Sequence, residues 1–187
     1  GPPGAGKSML AEALHDALGQ QGEHSAVVPM DGFHLDNRIL RERDLLERKG
    51  APETFDVDGF AHLLSRLTDT NLDVHIPVFD RSRDCAIAGA STVSSKDRIL
   101  LVEGNYLLLN EEPWRQLRPY FRQTVFLNPG IDILKRRLID RWLEHGLDPD
   151  IENPAALDRL SKYLRNMDMV IVSCGPEQRL AWAEVLK

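Results

Sequence analysis

The chain has 187 residues, of which 42% are hydrophobic and 28% are charged. This length and composition are typical of one folded α/β domain and argue against a disordered, collagenous or membrane-embedded chain. With 29 acidic and 23 basic residues the chain has a net charge of −6, which disfavours a general nucleic-acid binder.

The two cysteines and the apolar runs indicate the compartment. Cys85 and Cys174 lie far apart, and their surroundings show neither a disulfide framework nor the spacing of zinc ligands. The apolar runs of the sequence are much shorter than a membrane span. We therefore expect a cytoplasmic protein with no membrane span.

Apolar periodicity predicts helices alternating with short buried strands. Helices are predicted at 7–18, 38–48, 131–145 and 154–164. A further helix is predicted from its cap residue Asp56 through Leu67. The predicted strands lie at 26–30, 74–79, 85–93, 98–103, 123–127 and 169–172. This alternation predicts a parallel sheet that is covered by helices on both faces.

The first eight residues, GPPGAGKS, match the phosphate-loop pattern G-x-x-x-x-G-K-[ST] in full. Glycines let the backbone wrap around phosphate oxygens, and the helix that follows adds the positive end of its dipole. Lys7 is expected to reach the β and γ phosphates, and Ser8 to offer its hydroxyl to Mg²⁺. The alternative is a chance glycine-rich helix start. The expected nucleotide-binding residues are Gly1, Gly4, Ala5, Gly6, Lys7, Ser8 and Met9.

Two of the predicted buried strands end in a carboxylate. Asp31 follows the strand at 26–30, and Glu103 closes the strand at 98–103. The carboxyl ends of parallel strands meet at one edge of a sheet, which is where ligands bind. Glu103 is therefore a candidate Mg²⁺ ligand and Asp31 a candidate general base. The alternatives are a solvated strand-end carboxylate for Glu103 and an Asp-Gly turn for Asp31.

Three arginines, Arg136, Arg137 and Arg141, fall on the predicted helix at 131–145. Arg137 and Arg141 are four residues apart and so share a helix face. Such a cluster can close over ATP and spread the charge of the transition state. A solvated basic face is the alternative.

Two further side chains are candidate acceptor ligands. Arg81 could hold an anionic substrate group, although surface ion pairs with Asp80 and Asp84 are equally plausible. His34 lies three residues beyond Asp31 and is either a substrate hydrogen-bonder or a plain loop histidine.

Taken together, the motifs resemble those of the uridine kinase, phosphoribulokinase and bacterial pantothenate kinase superfamily of P-loop small-molecule kinases. Within it, the chain is most similar to bacterial proteins described as candidate fructose transport system kinases or nucleoside/nucleotide kinase family proteins. The resemblance covers nearly the whole chain. It rests on five blocks in the same order, 1–8 (GPPGAGKS), 28–34 (VPMDGFH), 50–56 (GAPETFD), 76–81 (IPVFDR) and 102–106 (VEGNY).

The resemblance implies a role for several residues. By this likeness Asp31 is the catalytic base, and Glu103 belongs to the magnesium site. In the matching segments, Asp56 and Asp80 would line the acceptor pocket, and Arg137 and Arg141 would belong to the lid.

The resemblance also implies a fold, a three-layer α/β/α sandwich whose parallel five-stranded sheet has the order 2-3-1-4-5. A phosphate loop follows a strand in such folds, so we expect a first strand before Gly1. Residues 1–187 would form a single kinase domain, with an acceptor-binding insertion at about 34–95 and a lid at about 130–150.

The expected activity is ATP- and Mg²⁺-dependent transfer of a phosphoryl group to a hydroxyl of a small polar metabolite, a fructose-type sugar being the first candidate. A uridine/cytidine-type nucleoside kinase and a regulatory P-loop ATPase are the alternatives. The expected partners are ATP and the small-molecule acceptor, without nucleic acid, and a homodimer is an open alternative.

Overall fold

The computed structural model of the protein describes residues 4–69, 71–130, 133, 134, 136, 137, 140 and 169–173. Its helices are α1 (Lys7–Gln20), α2 (Asn37–Glu42) and α3 (Val57–Leu67). Its strands are β1 (Ser25–Pro29), β2 (Val74–Asp80), β3 (Cys85–Val93), β4 (Ile99–Glu103), β5 (Gln123–Val125) and β6 (Met169–Ser173). Short 3₁₀ segments lie at Met30–Phe33, Leu46–Arg48, Pro52–Thr54 and Trp114–Tyr120.

The main sheet has the strand order β1-β4-β6-β5. β1 and β4 are parallel, and their register pairs Ser25 with Ile99 and Pro29 with Glu103. β6 runs antiparallel to both of its neighbours, β4 and β5. The predicted α/β fold is confirmed, and the parallel pairing that the sequence predicts is present between β1 and β4.

The predicted all-parallel order is wrong for β6, because this strand makes the described sheet mixed. β6 lies between β4 and β5, the place that the predicted order reserves for the strand expected before Gly1. Apolar periodicity identifies a buried strand, but it carries no information about the direction of the strand or about its neighbours. Direction and order are therefore properties of the assembled sheet.

β4 is buried along its whole length, as its uninterrupted apolar sequence predicts. Its side chains alternate between two hydrophobic clusters, since successive residues of a strand point to opposite faces. Ile99 and Leu101 pack in a cluster with Leu14 and Leu18 of α1. Leu100 and Val102 belong to a larger cluster that includes the side chains α3 buries. Helices therefore cover both faces of the central strand.

The predicted helix at 38–48 is only partly formed. α2 ends at Glu42, and a 3₁₀ turn follows at Leu46–Arg48. Asp44 between them has a φ of 56°, a left-handed conformation that does not continue a right-handed helix. By contrast, the predicted helix after Asp56 is confirmed, because the Asp56 carboxylate accepts a hydrogen bond of 2.9 Å from the N–H of Gly59.

The predicted β excursion is confirmed as an antiparallel hairpin of β2 and β3, whose register runs from Val74 opposite Val93 to Asp80 opposite Cys85. The hairpin packs closely against the 3₁₀ segment that follows β1. A Cβ at Gly32 would lie 2.8 Å from the carbonyl carbon of Pro77, so only glycine permits this approach. The hairpin is thereby placed beside Asp31.

Much of the chain's C-terminal part lies outside the described residues. This part includes the predicted helix at 154–164 and most of the predicted lid at about 130–150. Residues 133, 134, 136, 137 and 140 are helical, as predicted. Within the described part of the chain, every helix is too short or too polar to cross a membrane.

Candidate active site

The phosphate loop leads directly into α1. Gly4 and Gly6 have φ values of 77° and 93°, left-handed conformations that favour glycine. Gly6, the N-cap residue of α1, has no side chain with which to cap the helix. The N-terminal turn of a helix presents N–H groups from which an anion can accept hydrogen bonds. Gly1 lies outside the described residues.

Several charged and polar groups meet where α1 begins and β4 ends. Lys7 and Glu103 are each only 7% exposed. Burial raises the pKa of Glu103 above its ordinary value, and the negative charge of Asp31 raises it further. Lys7, a hydrogen bond from Ser8 and the charge of Arg81 act in the opposite direction. These five residues therefore share one electrostatic environment.

Asp31 and Glu103 lie at the same edge of the sheet, as the sequence predicts. β1 and β4 are parallel and pair Pro29 with Glu103, so Asp31, two residues later, emerges at the carboxyl end of β4. The Asp31 side chain is 26% exposed, and its Oδ2 accepts a bond of 3.2 Å from Nη2 of Arg81. The structure thus brings Asp31, Glu103 and Arg81 together.

His34 has a fixed ring orientation. Its ring packs against the rings of Phe55 and Phe79, at centroid distances of 4.1 and 4.6 Å. Its Nδ1 lies 2.8 Å from the carbonyl oxygen of Asp31, and because a carbonyl only accepts, Nδ1 carries the proton. Burial lowers the pKa of His34 below its ordinary value of 6.5. The ring is therefore neutral near pH 7, with Nε2 as an acceptor.

Lys49 forms a cluster that the sequence reasoning missed. Its Nζ lies 2.7 Å from Oδ1 of Asn37 and 2.8 Å from Oδ2 of Asp84, and it also donates to the Asp84 carbonyl at 2.7 Å. It stands 5.2 Å from the ring centroid of Phe79. The only sequence signal was the position of Lys49 directly before the block at 50–56.

The carboxylates of Asp56 and Asp80 both support local backbone structure. Asp56 caps α3, as described above. Asp80 accepts bonds from the Ser82 hydroxyl at 2.6 Å, the Ser82 N–H at 2.9 Å and the Arg83 N–H at 3.1 Å. The Ser82 hydroxyl and then the Arg83 N–H hold the pKa of Asp80 below its ordinary value. Their expected place in the acceptor pocket stays a prediction.

Of the arginines assigned to the lid, Arg137 contacts the phosphate loop. Its Nη1 donates to the carbonyl oxygens of Gly4 at 3.1 Å and Ala5 at 3.3 Å. Arg136 is exposed, and Arg141 lies outside the described residues. The Arg137 side chain is therefore held directly against the loop.

The phosphate loop, the helix behind it and the strand-end acids place the chain in the P-loop class of nucleotide-binding proteins. The crystal structure of a candidate fructose transport system kinase from Silicibacter sp. TM1040 is similar, with a TM-score of 0.79 and 47% identity. The match covers 88% of this chain and 80% of that one.

Two curated relatives match over about four fifths of this chain. The uncharacterised protein YggC of Escherichia coli is 36% identical over 78% of the chain. A candidate uridine kinase of Schizosaccharomyces pombe is 35% identical over 79% of it. The chain spans 61% and 66% of the lengths of these two relatives.

Further matching proteins are named ATP-dependent kinase or pantothenate kinase. No family model matches the chain. The similarity to the Silicibacter protein and the names of the relatives show that the chain belongs to the P-loop small-molecule kinases related to uridine kinase and pantothenate kinase.

Proposed function

We propose that the protein transfers the γ-phosphoryl group of ATP, with Mg²⁺, to a hydroxyl of a small polar metabolite. The observation that carries this proposal is the shared environment of Lys7, Ser8, Asp31 and Glu103 at one edge of the sheet. Phosphoryl transfer depends mainly on positioning and charge stabilisation, and these residues supply the types of group it needs.

The phosphate loop fits a nucleotide triphosphate. The first turn of α1, at which Gly6 provides no capping side chain, presents N–H donors, and the glycine conformations at Gly4 and Gly6 allow the backbone to approach phosphate oxygens. Lys7 adds a positive charge beside them. The cofactor supplies the phosphoryl group and the leaving group, and the protein binds and orients it. Residues 1–9 are proposed as this binding segment.

Ser8 and Glu103 fit a magnesium site because both offer oxygen ligands, which Mg²⁺ prefers. The raised pKa of Glu103 shows that its negative charge is costly at this buried position. A divalent cation beside the carboxylate offsets that cost, so the site favours binding of the metal.

Asp31 is proposed as the general base. Its carboxylate orients the acceptor hydroxyl and takes the hydroxyl proton as the oxygen attacks phosphorus. Arg137 and Arg141 are proposed as lid residues that stabilise the charge of the transferred group. For Arg137 the contacts with the phosphate loop support this role.

The acceptor is proposed to bind in the insertion at about 34–95, beside His34, Asp56, Asp80 and Arg81. A fructose-type sugar is the first candidate because the similar Silicibacter structure carries that description. A pyrimidine nucleoside is the alternative, which the name of the Schizosaccharomyces pombe relative supports.

The test is a coupled ADP-release assay on the full-length protein with Mg·ATP and separate panels of sugars, nucleosides, pantothenate and glycerate. A kinase releases ADP only when one particular acceptor is present, and it forms the phosphorylated acceptor in the same amount as ADP. ADP release that is equally fast without any acceptor would indicate transfer to water and favour a P-loop ATPase. A protein that binds Mg·ATP but phosphorylates no member of the panels would contradict the proposal.

A further inference from the structure

Arg81 stands beside both acids of the candidate site. Its Nη2 bonds Oδ2 of Asp31 at 3.2 Å, although the two residues are 50 positions apart in sequence. Its positive charge is also among the groups that lower the pKa of Glu103. With a side chain that is 61% exposed, Arg81 supports no core packing. Its position therefore needs an explanation other than stability.

The fold builds this position from three sides. Gly32 allows β2 to pack directly against the segment that carries Asp31. Asp80 holds the start of the turn between β2 and β3 through its bonds to the Ser82 and Arg83 N–H groups. At the end of the turn, Asp84 is bonded to Lys49. Arg81 lies between these two anchors, so the turn is preorganised rather than loose.

The carboxylate of Asp31 is used asymmetrically. Oδ2 accepts the bond from Arg81, whereas Oδ1 accepts no hydrogen bond from any residue that the structure describes. Within the described part of the chain, one oxygen is therefore held and the other is open to an incoming donor. A hydroxyl that attacks a phosphoryl group is a donor of this kind until its proton is transferred.

We propose that Arg81 is a positioning residue that holds Oδ2 of Asp31 and so aims Oδ1 at the acceptor hydroxyl. This inference rests on the proposed function, because it assumes that Asp31 is the base. Arg81 acts through Asp31 and does not itself exchange a proton with the substrate.

The test compares Arg81→Met with Arg83→Met. Arg83 belongs to the same turn but pairs with Asp80, at 3.6 Å, instead of Asp31. Arg81→Met should lower kcat about 10- to 100-fold, as small misplacements of catalytic groups do, with an unchanged KM for Mg·ATP. Arg83→Met should retain the parental kcat, and Arg81→Lys should recover part of the loss.

The Asp31→Asn background separates positioning from direct substrate binding. Since Arg81 acts through the base, Arg81→Met should cause no further loss of kcat once Asp31 is Asn. A further loss of the same size in that background would show that Arg81 contacts the acceptor directly, and it would overturn the proposal. Parental kcat in Arg81→Met itself would overturn it as well.

A second measurement does not depend on turnover. The guanidinium NMR signals of Arg81 should shift in Asp31→Asn and stay in place in Glu12→Gln, a change on the exposed face of α1. If the Arg81 signals do not shift in Asp31→Asn, the ion pair is absent in solution and the inference is refuted. An intact pair in a protein that phosphorylates no acceptor would instead refute the proposed function.

Discussion

Replacement of Asp31 by Asn tests the assignment of the base most directly. Asn has the shape of Asp, and its side-chain oxygen can still accept the bond from Arg81 that Oδ2 of Asp31 accepts at 3.2 Å. The contact of the His34 ring is with the main-chain carbonyl of residue 31, so it is unaffected. What the variant loses is a group able to take a proton from a hydroxyl. We therefore expect the variant to fold normally and to lose most of its rate of phosphoryl transfer.

The expected magnitudes differ strongly between rate and stability. Loss of a general base typically lowers kcat about 10²- to 10⁴-fold. The ion pair of Asp31 with Arg81, whose side chains are 26% and 61% exposed, is partly solvated. Such pairs contribute about 0–1 kcal/mol. For a chain of this size the melting temperature should therefore fall by less than about 4 °C.

The assay measures acceptor-dependent ADP release at saturating Mg·ATP, together with the Kd for Mg·ATP and the thermal unfolding of the same preparation. If Asp31 served only as a turn residue, kcat per folded molecule would change little, and the melting temperature would fall slightly at most because Asn serves turns almost as well as Asp. If Asp31→Asn keeps the parental kcat on an identified acceptor, Asp31 is not the base.

Three further changes test other parts of the site. Lys7→Met keeps the buried aliphatic stem but removes the charge, so the Kd for Mg·ATP should rise about tenfold or more by calorimetry, and an unchanged Kd would disprove the phosphate-loop assignment. The pKa of Glu103 lies above its ordinary value of 4.5, mainly through burial, so the stability of the metal-free protein should fall as the pH rises from that value toward the folded pKa. Glu103→Gln should abolish this dependence, raise the melting temperature at pH 7 and weaken Mg²⁺ binding; a lower melting temperature would contradict the argument. Asp56→Ala removes the cap of α3 and should cost about 1 kcal/mol in unfolding experiments, whereas Asp16→Ala on the exposed face of α1 should cost little.

The sequence alone was sufficient for features that depend on neighbouring residues. Glycine spacing before Lys7 identified the phosphate loop, because only glycines adopt its left-handed conformations readily. An uninterrupted apolar run identified β4 as buried on both faces. Two such strands ending in Asp31 and Glu103 were enough to predict that these acids share an edge, since parallel strands align their carboxyl ends.

Other features depended on the whole fold. The direction of β6 was not predictable, because a buried strand has the same apolar pattern whether its neighbours are parallel or antiparallel. The break at Asp44 interrupted a helix that charge and periodicity favoured, because its left-handed φ does not continue a right-handed helix. Propensity is a weak guide wherever tertiary contacts compete with it.

Side-chain partners in the site were decided by tertiary structure. From the sequence, Arg81 could equally hold a substrate anion or pair with Asp80 or Asp84, which are its neighbours. In the folded chain it pairs with Asp31, 50 positions away, and Asp84 binds Lys49, 35 positions away. The pairing with Asp31 requires the hairpin to approach the end of β1, and Gly32, which lacks a Cβ, permits this approach. Sequence proximity could not reveal either pairing, since ion pairs form between the groups that packing brings within a few ångströms.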